Sequence, residues 1–432
     1  MLMLPQTQIE VNVDYYDSTH EQMLMKYPSA TRIQTIVRDG ASVSTTEFLT
    51  YYMFHRKRPG KPGWSNYNEI GKHINTALAY LDQWIEFNGT SISTPPNVGA
   101  QEKDISEHIG ESLGLAIVNE IHGLTAADWD RVPEQRGKNA SKTFDYQIAS
   151  DNKSIIQLEA KGSSAADNSK ITSAVSNHKN NIVDKKQKIT SAQLGNSYRF
   201  PADLRYGVIT VVGTSKTESV KCLLVDPPAE GGSRTARELR LLQRLRFIRD
   251  WVAFISPRSQ LAASISTRLE ALRNLADPFE LDGVPLLRGS DEPYDFAEDL
   301  QGRLASQAPF FATKSTVVGE RSGGVLLPLR DGALLFAGIR GELLDPLVKQ
   351  DFDALSTARH TRERSEKIIE CLLPEKRFQS IGFPSTILEG AKKSGGYYSF
   401  RLPSIIQYSD SGILFGLVTT NQGVSAASTH TE

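Results

Sequence analysis

The order of helical and strand patterns in residues 105–226 restricts the fold more than any other feature of the chain. Apolar residues recur at every fourth position from Ile105 to Ile121, and Gly123 follows, which predicts an amphipathic helix with a glycine stop. A second, polar helix is predicted over 169–194. Strands are predicted at 129–133, 143–149, 154–160, 206–212 and 220–225. This order indicates an α/β core in which helices flank a mixed sheet.

The rest of the chain divides into regions of different character. With 432 residues, the chain exceeds the usual size of one domain. Helical patterns dominate the first hundred residues, and a stretch with prolines and glycine over 91–100 is typical of a linker. The charged segment 357–371 predicts a helix in an otherwise strand-rich region. We expect four regions: a mixed, mostly helical region at 1–100, the core at 101–230, a helical connector at 231–278 and a C-terminal α+β domain at 279–432.

Composition narrows the cellular setting and the partners. The formal net charge is −1, so a nucleic-acid role requires basic and acidic residues to be segregated on the surface. The two cysteines, Cys222 and Cys371, are too few for a disulfide framework and have no metal-binding spacing. Neither a secretory signal nor an apolar run of about 20 residues, the length that crosses a bilayer, is evident. We expect a cytoplasmic protein with no membrane association.

Three charged residues in the core fall where strands can bring them together. Asp145 lies on the second predicted strand, and Glu159 and Lys161 lie two positions apart on the third. Side chains alternate between the faces of a strand, so Glu159 and Lys161 point the same way. The polar pair at 151–152 suits a hairpin turn, which can place Asp145 beside Glu159.

This combination predicts a divalent-metal site with hydrolytic chemistry. Two carboxylates in one small space repel each other unless a cation lies between them, and oxygen ligands suit Mg²⁺ or Mn²⁺. Such a metal polarises a phosphoryl oxygen and lowers the pKa of a bound water, so the site can hydrolyse a phosphodiester. We assign Lys161 the role of orienting that water or offsetting charge on the phosphorane oxygens.

At these residues the segment resembles the PD-(D/E)XK nuclease superfamily, which has a restriction-endonuclease-like fold. The resemblance covers residues 105–226 and rests on Glu111 in the first helix, Asp145 in Phe-Asp-Tyr, and Glu159 and Lys161 in Glu-Ala-Lys. One departure is Phe144, which stands where the family has a proline before the aspartate.

The resemblance implies a set of roles and a biological setting. Metal ligands would be Asp145, Glu159, the backbone carbonyl of Ala160 and, as a fourth catalytic residue, Glu111; Lys161 would assist the nucleophile. The cofactor would be Mg²⁺, with Mn²⁺ as a substitute. The protein would then be a DNA endonuclease of bacterial restriction or phage defence, acting as a homodimer or with a partner subunit.

Plainer interpretations exist for each of these residues. Asp145 can be a polar residue of an edge strand, and Glu159 with Lys161 can be a surface ion pair of little energetic value. Glu111 lies away from the apolar stripe of its helix and can simply be solvated. Three histidines near the site have no partner at metal-ligand spacing and are interpreted as structural or surface residues: His108, His122 and His178.

Basic residues around the core suggest where a phosphate backbone could bind. Residues 131–200 contain 12 Lys or Arg and 6 Asp or Glu, as suits an enzyme that acts on phosphates. Candidates on the second helix, which can equally form a solvated helix face, are Lys179, Lys185, Lys186 and Lys188. An arginine-rich helix over 234–249 is interpreted as structural rather than DNA-reading, because apolar residues line its other side.

Two alternatives to a DNA endonuclease remain open from the sequence. One is a partner-activated nuclease that acts on RNA or on single strands. The other is a binding module that keeps the fold and has lost catalysis.

Overall fold

A computed structural model describes most of the chain. The described residues are 8–54, 58, 67–95, 103–131, 144, 146–150, 152–194, 202–215, 219–226, 235–257, 259–275, 277–287, 293–297, 314–329, 333–375, 391–394 and 396–418. The chain forms two compact units, one of residues 2–56 and 77–244 and the other of residues 57–76 and 245–432. The boundaries predicted at 100 and 230 both fall inside the first of these units.

The first unit contains both helices and strands. Its strands are β1 (Gln8–Tyr15), β2 (Ala41–Ser44), β3 (Glu86–Asn88), β4 (Ser91–Ser93), β5 (Trp129–Arg131), β6 (Tyr146–Ser150), β7 (Ser154–Ala165), β8 (Leu204–Gly213) and β9 (Val220–Val225). Its helices, two of which continue into the other unit, are α1 (Ser18–Leu24), α2 (Ala30–Asp39), α3 (Thr45–Phe54), α4 (Tyr67–Trp84), α5 (Lys103–His122), α6 (Ser173–Leu194) and α7 (Ala236–Ile255).

A mixed seven-stranded sheet organises this unit, in the order β2-β1-β9-β8-β7-β6-β5. Strands β5, β6 and β7 form an antiparallel meander, and α6 then connects β7 to the parallel strand β8. The predicted order of helix, three strands, helix and two strands is confirmed, and so is the mixed character of the sheet. Asn152 turns between β6 and β7 with a left-handed φ of 56°, as its side chain tolerates.

The sequence did not predict the two strands that extend this sheet at its far edge. Strand β1 pairs parallel with β9 and antiparallel with β2. Ile9, Val11 and Val13 of β1 are buried, while the residues between them are exposed or half-buried. Part of the predicted linker is also a strand, since β4 pairs with β3 around Gly89, whose φ is 61°. The N-terminal region therefore contributes to the core sheet.

Helix α5 lies unusually close to the sheet because glycines face each other at the contact. A Cβ built on Gly110 would come 2.4 Å from Cα of Gly162 in β7, and one built on Gly162 would come 1.6 Å from the carbonyl oxygen of Ser106. Hydrogen at both positions lets the backbones touch, so α5 covers one face of β7 and β8 directly.

The second unit contains an antiparallel sheet that closes on itself. Its elements are α8 (Gln260–Asn274), β10 (Lys314–Val317), β11 (Gly323–Pro328), β12 (Leu334–Ile339), α9 (Gly341–Lys349), α10 (Phe352–Thr357), β13 (Glu363–Pro374), β14 (Lys392–Ser394), β15 (Tyr397–Tyr408) and β16 (Ile413–Val418). The strand order is β13-β10-β11-β12-β16-β15-β14, and an additional pairing of β13 with β15, the strand next to the last, closes the sheet. Buried side chains such as Phe336, Phe400 and Leu402 form its core.

The helix predicted over 357–371 is wrong. Helix α10 ends at Thr357, and β13 begins at Glu363 and pairs along its whole length with β15. At the C-terminal end of β13, Ile369, Cys371 and Leu373 are buried in alternation, which is a strand period. Its charged N-terminal half resembles a polar helix, and only pairing with a distant strand decides the conformation. None of the helices within the described ranges is long and apolar enough to span a membrane.

Candidate functional site

Glu159 lies in the middle of β7 and faces α6. The side chain of Ala160 and the backbone of Gly162 contact α5, so the alternate residues Glu159 and Lys161 lie on the opposite face of the strand. In the parallel ladder Glu159 pairs with Gly207 of β8. A Cβ on Gly207 would come 2.6 Å from Cδ1 of Ile182 in α6, so the glycine lets α6 pack closely beside Glu159.

Two lysines bind the same oxygen of this carboxylate. Nζ of Lys161 and Nζ of Lys185 each lie 2.5 Å from Oε1 of Glu159. The Glu159 side chain is 0 % exposed, whereas Lys161 and Lys185 are 20 % and 24 % exposed. Because the carboxylate is fully buried, the interpretation of Glu159 and Lys161 as a mere surface ion pair is wrong. A buried charge requires compensation, and ammonium groups from two elements supply it.

Asp145, the other carboxylate that the sequence predicts here, lies outside the described residues. The residue after it, Tyr146, opens β6 and pairs with Leu158, which directly precedes Glu159 in β7. The residue before it, Phe144, is 0 % exposed and packs in the apolar cluster beneath α6.

The two remaining predicted ligands lie on or near the other face of β7. Ala160 is fully buried, and its Cβ would lie 3.3 Å from a Cβ added to Gly114 of α5. Glu111 is a residue of α5 and only 1 % exposed, so the interpretation that it is solvated is wrong. Its burial keeps it a candidate, but on a helix that packs against the face of β7 opposite Glu159.

Lys186 cannot serve the phosphate-binding role considered for it. Its Nζ donates to Oδ1 of Asp226 at 2.7 Å and to the carbonyl of Arg205, and its side chain is 1 % exposed. Burial lowers the pKa of Lys186 to about 8 against the attraction of Asp226, and burial raises the pKa of Asp226 against the attraction of Lys186. Both shifts have the direction that burial gives, and the desolvation of a buried ion pair can exceed the Coulombic gain of the pairing.

The structural interpretation of two further groups is supported. Nε2 of His122 shares a 2.7 Å hydrogen bond with the hydroxyl of Tyr206, and burial lowers the pKa of His122 to about 3. In α7, Nε of Arg240 and of Arg244 donate to Oδ1 of Asp128 at 2.9 and 2.5 Å, and all three side chains are buried. These arginines stabilise the unit from within and are unavailable to DNA.

Lys185 is the functional candidate whose position the sequence could not supply. It is one of several lysines on α6, and their spacing in the sequence does not distinguish it from Lys188. In the structure Lys188 is 56 % exposed, and its Nζ lies 3.9 Å from Oδ2 of Asp184. Only the packing of α6 over β7 turns Lys185 toward Glu159 and leaves Lys188 in solvent.

The chemistry of these groups is compatible with a hard divalent cation. Glu159 offers a carboxylate oxygen that already binds positively charged groups, and carboxylate oxygens are the preferred ligands of Mg²⁺. Within the described residues, no group of three His, Cys, Asp or Glu could hold a metal ion. Asp145 lies outside those residues.

No protein-family model, curated protein or solved structure matches this chain.

Proposed function

We propose that the first unit is a Mg²⁺-dependent endonuclease of the PD-(D/E)XK type that hydrolyses phosphodiester bonds of DNA. The observation that carries the proposal is the fully buried carboxylate of Glu159 in the middle of the sheet, with Lys161 on the same face of the same strand. Burial of a charged acid is costly for stability, and ionisable groups in such surroundings cluster at active sites. The cationic partners of Glu159 are partly exposed, whereas those of the structural acid Asp128 are buried. The succession of α5, an antiparallel meander, α6 and a parallel strand supports a restriction-endonuclease-like core.

In this proposal the side chains have distinct roles. Glu159 and Asp145 would hold the cation, with the Ala160 carbonyl as a further ligand. Glu111, the fourth residue that the resemblance names, lies on the helix against the opposite face of β7 and would not share this cation with Glu159. The bound metal supplies Lewis acidity and a water of lowered pKa. Lys161 orients the attacking water and offsets the negative charge that develops on the phosphate.

Cleavage of supercoiled plasmid tests the proposal. Wild-type protein with Mg²⁺ or Mn²⁺ is expected to nick or linearise the plasmid, and chelation of the metal to stop it. Glu159→Gln and Lys161→Ala are each expected to lower the rate at least about 100-fold, because each removes a group that acts on transition-state charge. Lys170→Ala is the matched control, since Lys170 is 78 % exposed and pairs with Asp167 at the surface.

The same assay with single-stranded DNA and with RNA shows which nucleic acid is the substrate. Cleavage of RNA alone would replace DNA as the substrate and leave the chemistry intact. Binding of nucleic acid without cleavage under any divalent metal would contradict the enzymatic proposal and favour a binding module. A role in bacterial restriction or phage defence, and action as a homodimer or with a partner subunit, belong to the same proposal and rest on the resemblance.

A further inference from the structure

Lys185 and Lys161 reach Glu159 from different elements. Lys161 lies on β7 itself, two residues from Glu159, whereas Lys185 extends from α6. Both ammonium groups bind Oε1 of Glu159 at 2.5 Å. A cation that is coordinated by this oxygen has to displace at least one of them, since like charges repel at such short range.

Lys185 is better suited than Lys161 to leave the carboxylate of Glu159 when a cation binds there. The two lysines are similarly exposed, at 20 % and 24 %, so exposure does not distinguish them. Lys161 lies two residues from Glu159 on the same strand, which keeps it beside the carboxylate, whereas Lys185 extends from a separate helix. A lysine carries a compact charge on a flexible four-carbon stem, which can turn without movement of the helix. Its neighbour Lys186 anchors α6 through the buried bond to Asp226, so the helix remains in place while Lys185 moves.

We propose that Lys185 is an exchangeable counter-charge of Glu159. In the metal-free protein its ammonium group neutralises the buried carboxylate. When a divalent cation binds Glu159, Lys185 transfers to a phosphate oxygen of the nucleic acid. Lys185 therefore competes with the metal and contributes to nucleic-acid binding, so its removal changes the two affinities in opposite directions. This inference rests on the proposed nuclease function.

Metal affinity gives a readout that does not depend on cleavage. Full-length wild type, Lys185→Met and the control Lys188→Met are titrated with Mn²⁺ by calorimetry without nucleic acid. Lys185→Met is expected to bind Mn²⁺ about tenfold more tightly, equal to the loss of about 1.4 kcal/mol of competing interaction. Lys188→Met should bind Mn²⁺ as wild type does, because Lys188 lies at the surface of the same helix.

Nucleic-acid affinity is then measured by fluorescence anisotropy of a labelled duplex with Ca²⁺ at several salt concentrations. Lys185→Met is expected to bind about tenfold more weakly, with the slope of log K against log salt reduced by about one. Circular dichroism and a second variant, Lys185→Gln, exclude misfolding as the cause.

The outcomes separate the two proposals. If wild type binds Mn²⁺ and cleaves DNA, but Lys185→Met binds Mn²⁺ no more tightly, the exchange is overturned and the nuclease function stands. If wild type binds no divalent metal, both proposals are overturned. A weaker affinity of Lys185→Met for both Mn²⁺ and duplex would make Lys185 a structural residue and also contradict the exchange.

Discussion

Helix α6 places two consecutive lysines in contact with carboxylates of the core, and their surroundings differ. Lys186 and Asp226 are 1 % and 2 % exposed, and the backbone of Arg205 accepts a further hydrogen bond from Lys186. Lys185 is 24 % exposed and binds an oxygen of Glu159 that Lys161 also binds. The pair of Lys186 and Asp226 is enclosed by protein, whereas the pair of Lys185 and Glu159 is partly in contact with water on the lysine side.

The difference assigns one of the two adjacent lysines to the closed core and the other to the candidate site. A fully enclosed pair cannot exchange partners without exposing a charge to an apolar interior, which is costly. When the partly exposed ammonium group of Lys185 leaves, water replaces its hydrogen bonds, and Lys161 still neutralises the buried carboxylate of Glu159. We therefore expect substitutions at Lys186 to change the free energy of unfolding and substitutions at Lys185 to change binding.

The largest expected effect is on stability at Lys186. Lys186→Met leaves Asp226 buried without its ammonium partner and should lower the free energy of unfolding by about 3–5 kcal/mol. Urea denaturation measures this, with Lys188→Met on the exposed side of α6 as the control that should change little. A loss below about 1 kcal/mol at Lys186 would remove the contrast between the two lysines.

Removal of both charges of the closed pair should recover much of that loss. Lys186→Met combined with Asp226→Asn keeps an acceptor at position 226 and eliminates the unpaired charge. Because burial opposes the charged form of both partners, the double variant should be at least about 2 kcal/mol more stable than Lys186→Met alone. Additive losses in the double-mutant cycle would show that the two groups do not interact.

The buried side chain of His122 should make the free energy of unfolding depend on pH. The unfolded chain binds a proton at His122 below pH 6.5, whereas the folded protein resists until about pH 3, so stability is lost as the pH falls through this window. Relative to His122→Gln, wild type should lose about 2 kcal/mol more between pH 7 and pH 5. If the urea midpoints of wild type and His122→Gln change equally over this pH range, the prediction is wrong and His122 is in contact with water.

Lys185 should have the smallest effect on stability. In the metal-free protein Lys161 still neutralises Glu159 after Lys185→Met, so the free energy of unfolding should fall by no more than about 1.5 kcal/mol, the usual net value of one hydrogen bond. Thermal unfolding under chelating conditions measures this. A loss as large as that at Lys186 would mean that both ion pairs are structural.

Much of the core fold could be predicted because its signals are local. The apolar residues at every fourth position, with Gly123 after them, predicted α5, and the polar pair that includes Asn152 predicted the turn between β6 and β7. Strands β1 and β2 were not predicted, because their partners lie far along the chain and a short amphipathic strand is ambiguous on its own. The charged half of β13 was assigned to a helix for the same reason.

The sequence by itself determined the alternation of β7, and with it that Glu159 and Lys161 share a face, since the period of a strand is fixed by its backbone. It did not determine which lysine of α6 reaches Glu159, or that Lys186 is sealed against Asp226. Those contacts depend on the rotation and depth of a helix on the sheet, which glycines such as Gly207 permit. Tertiary packing therefore decided which of two adjacent lysines lies in the candidate site and which lies in the core.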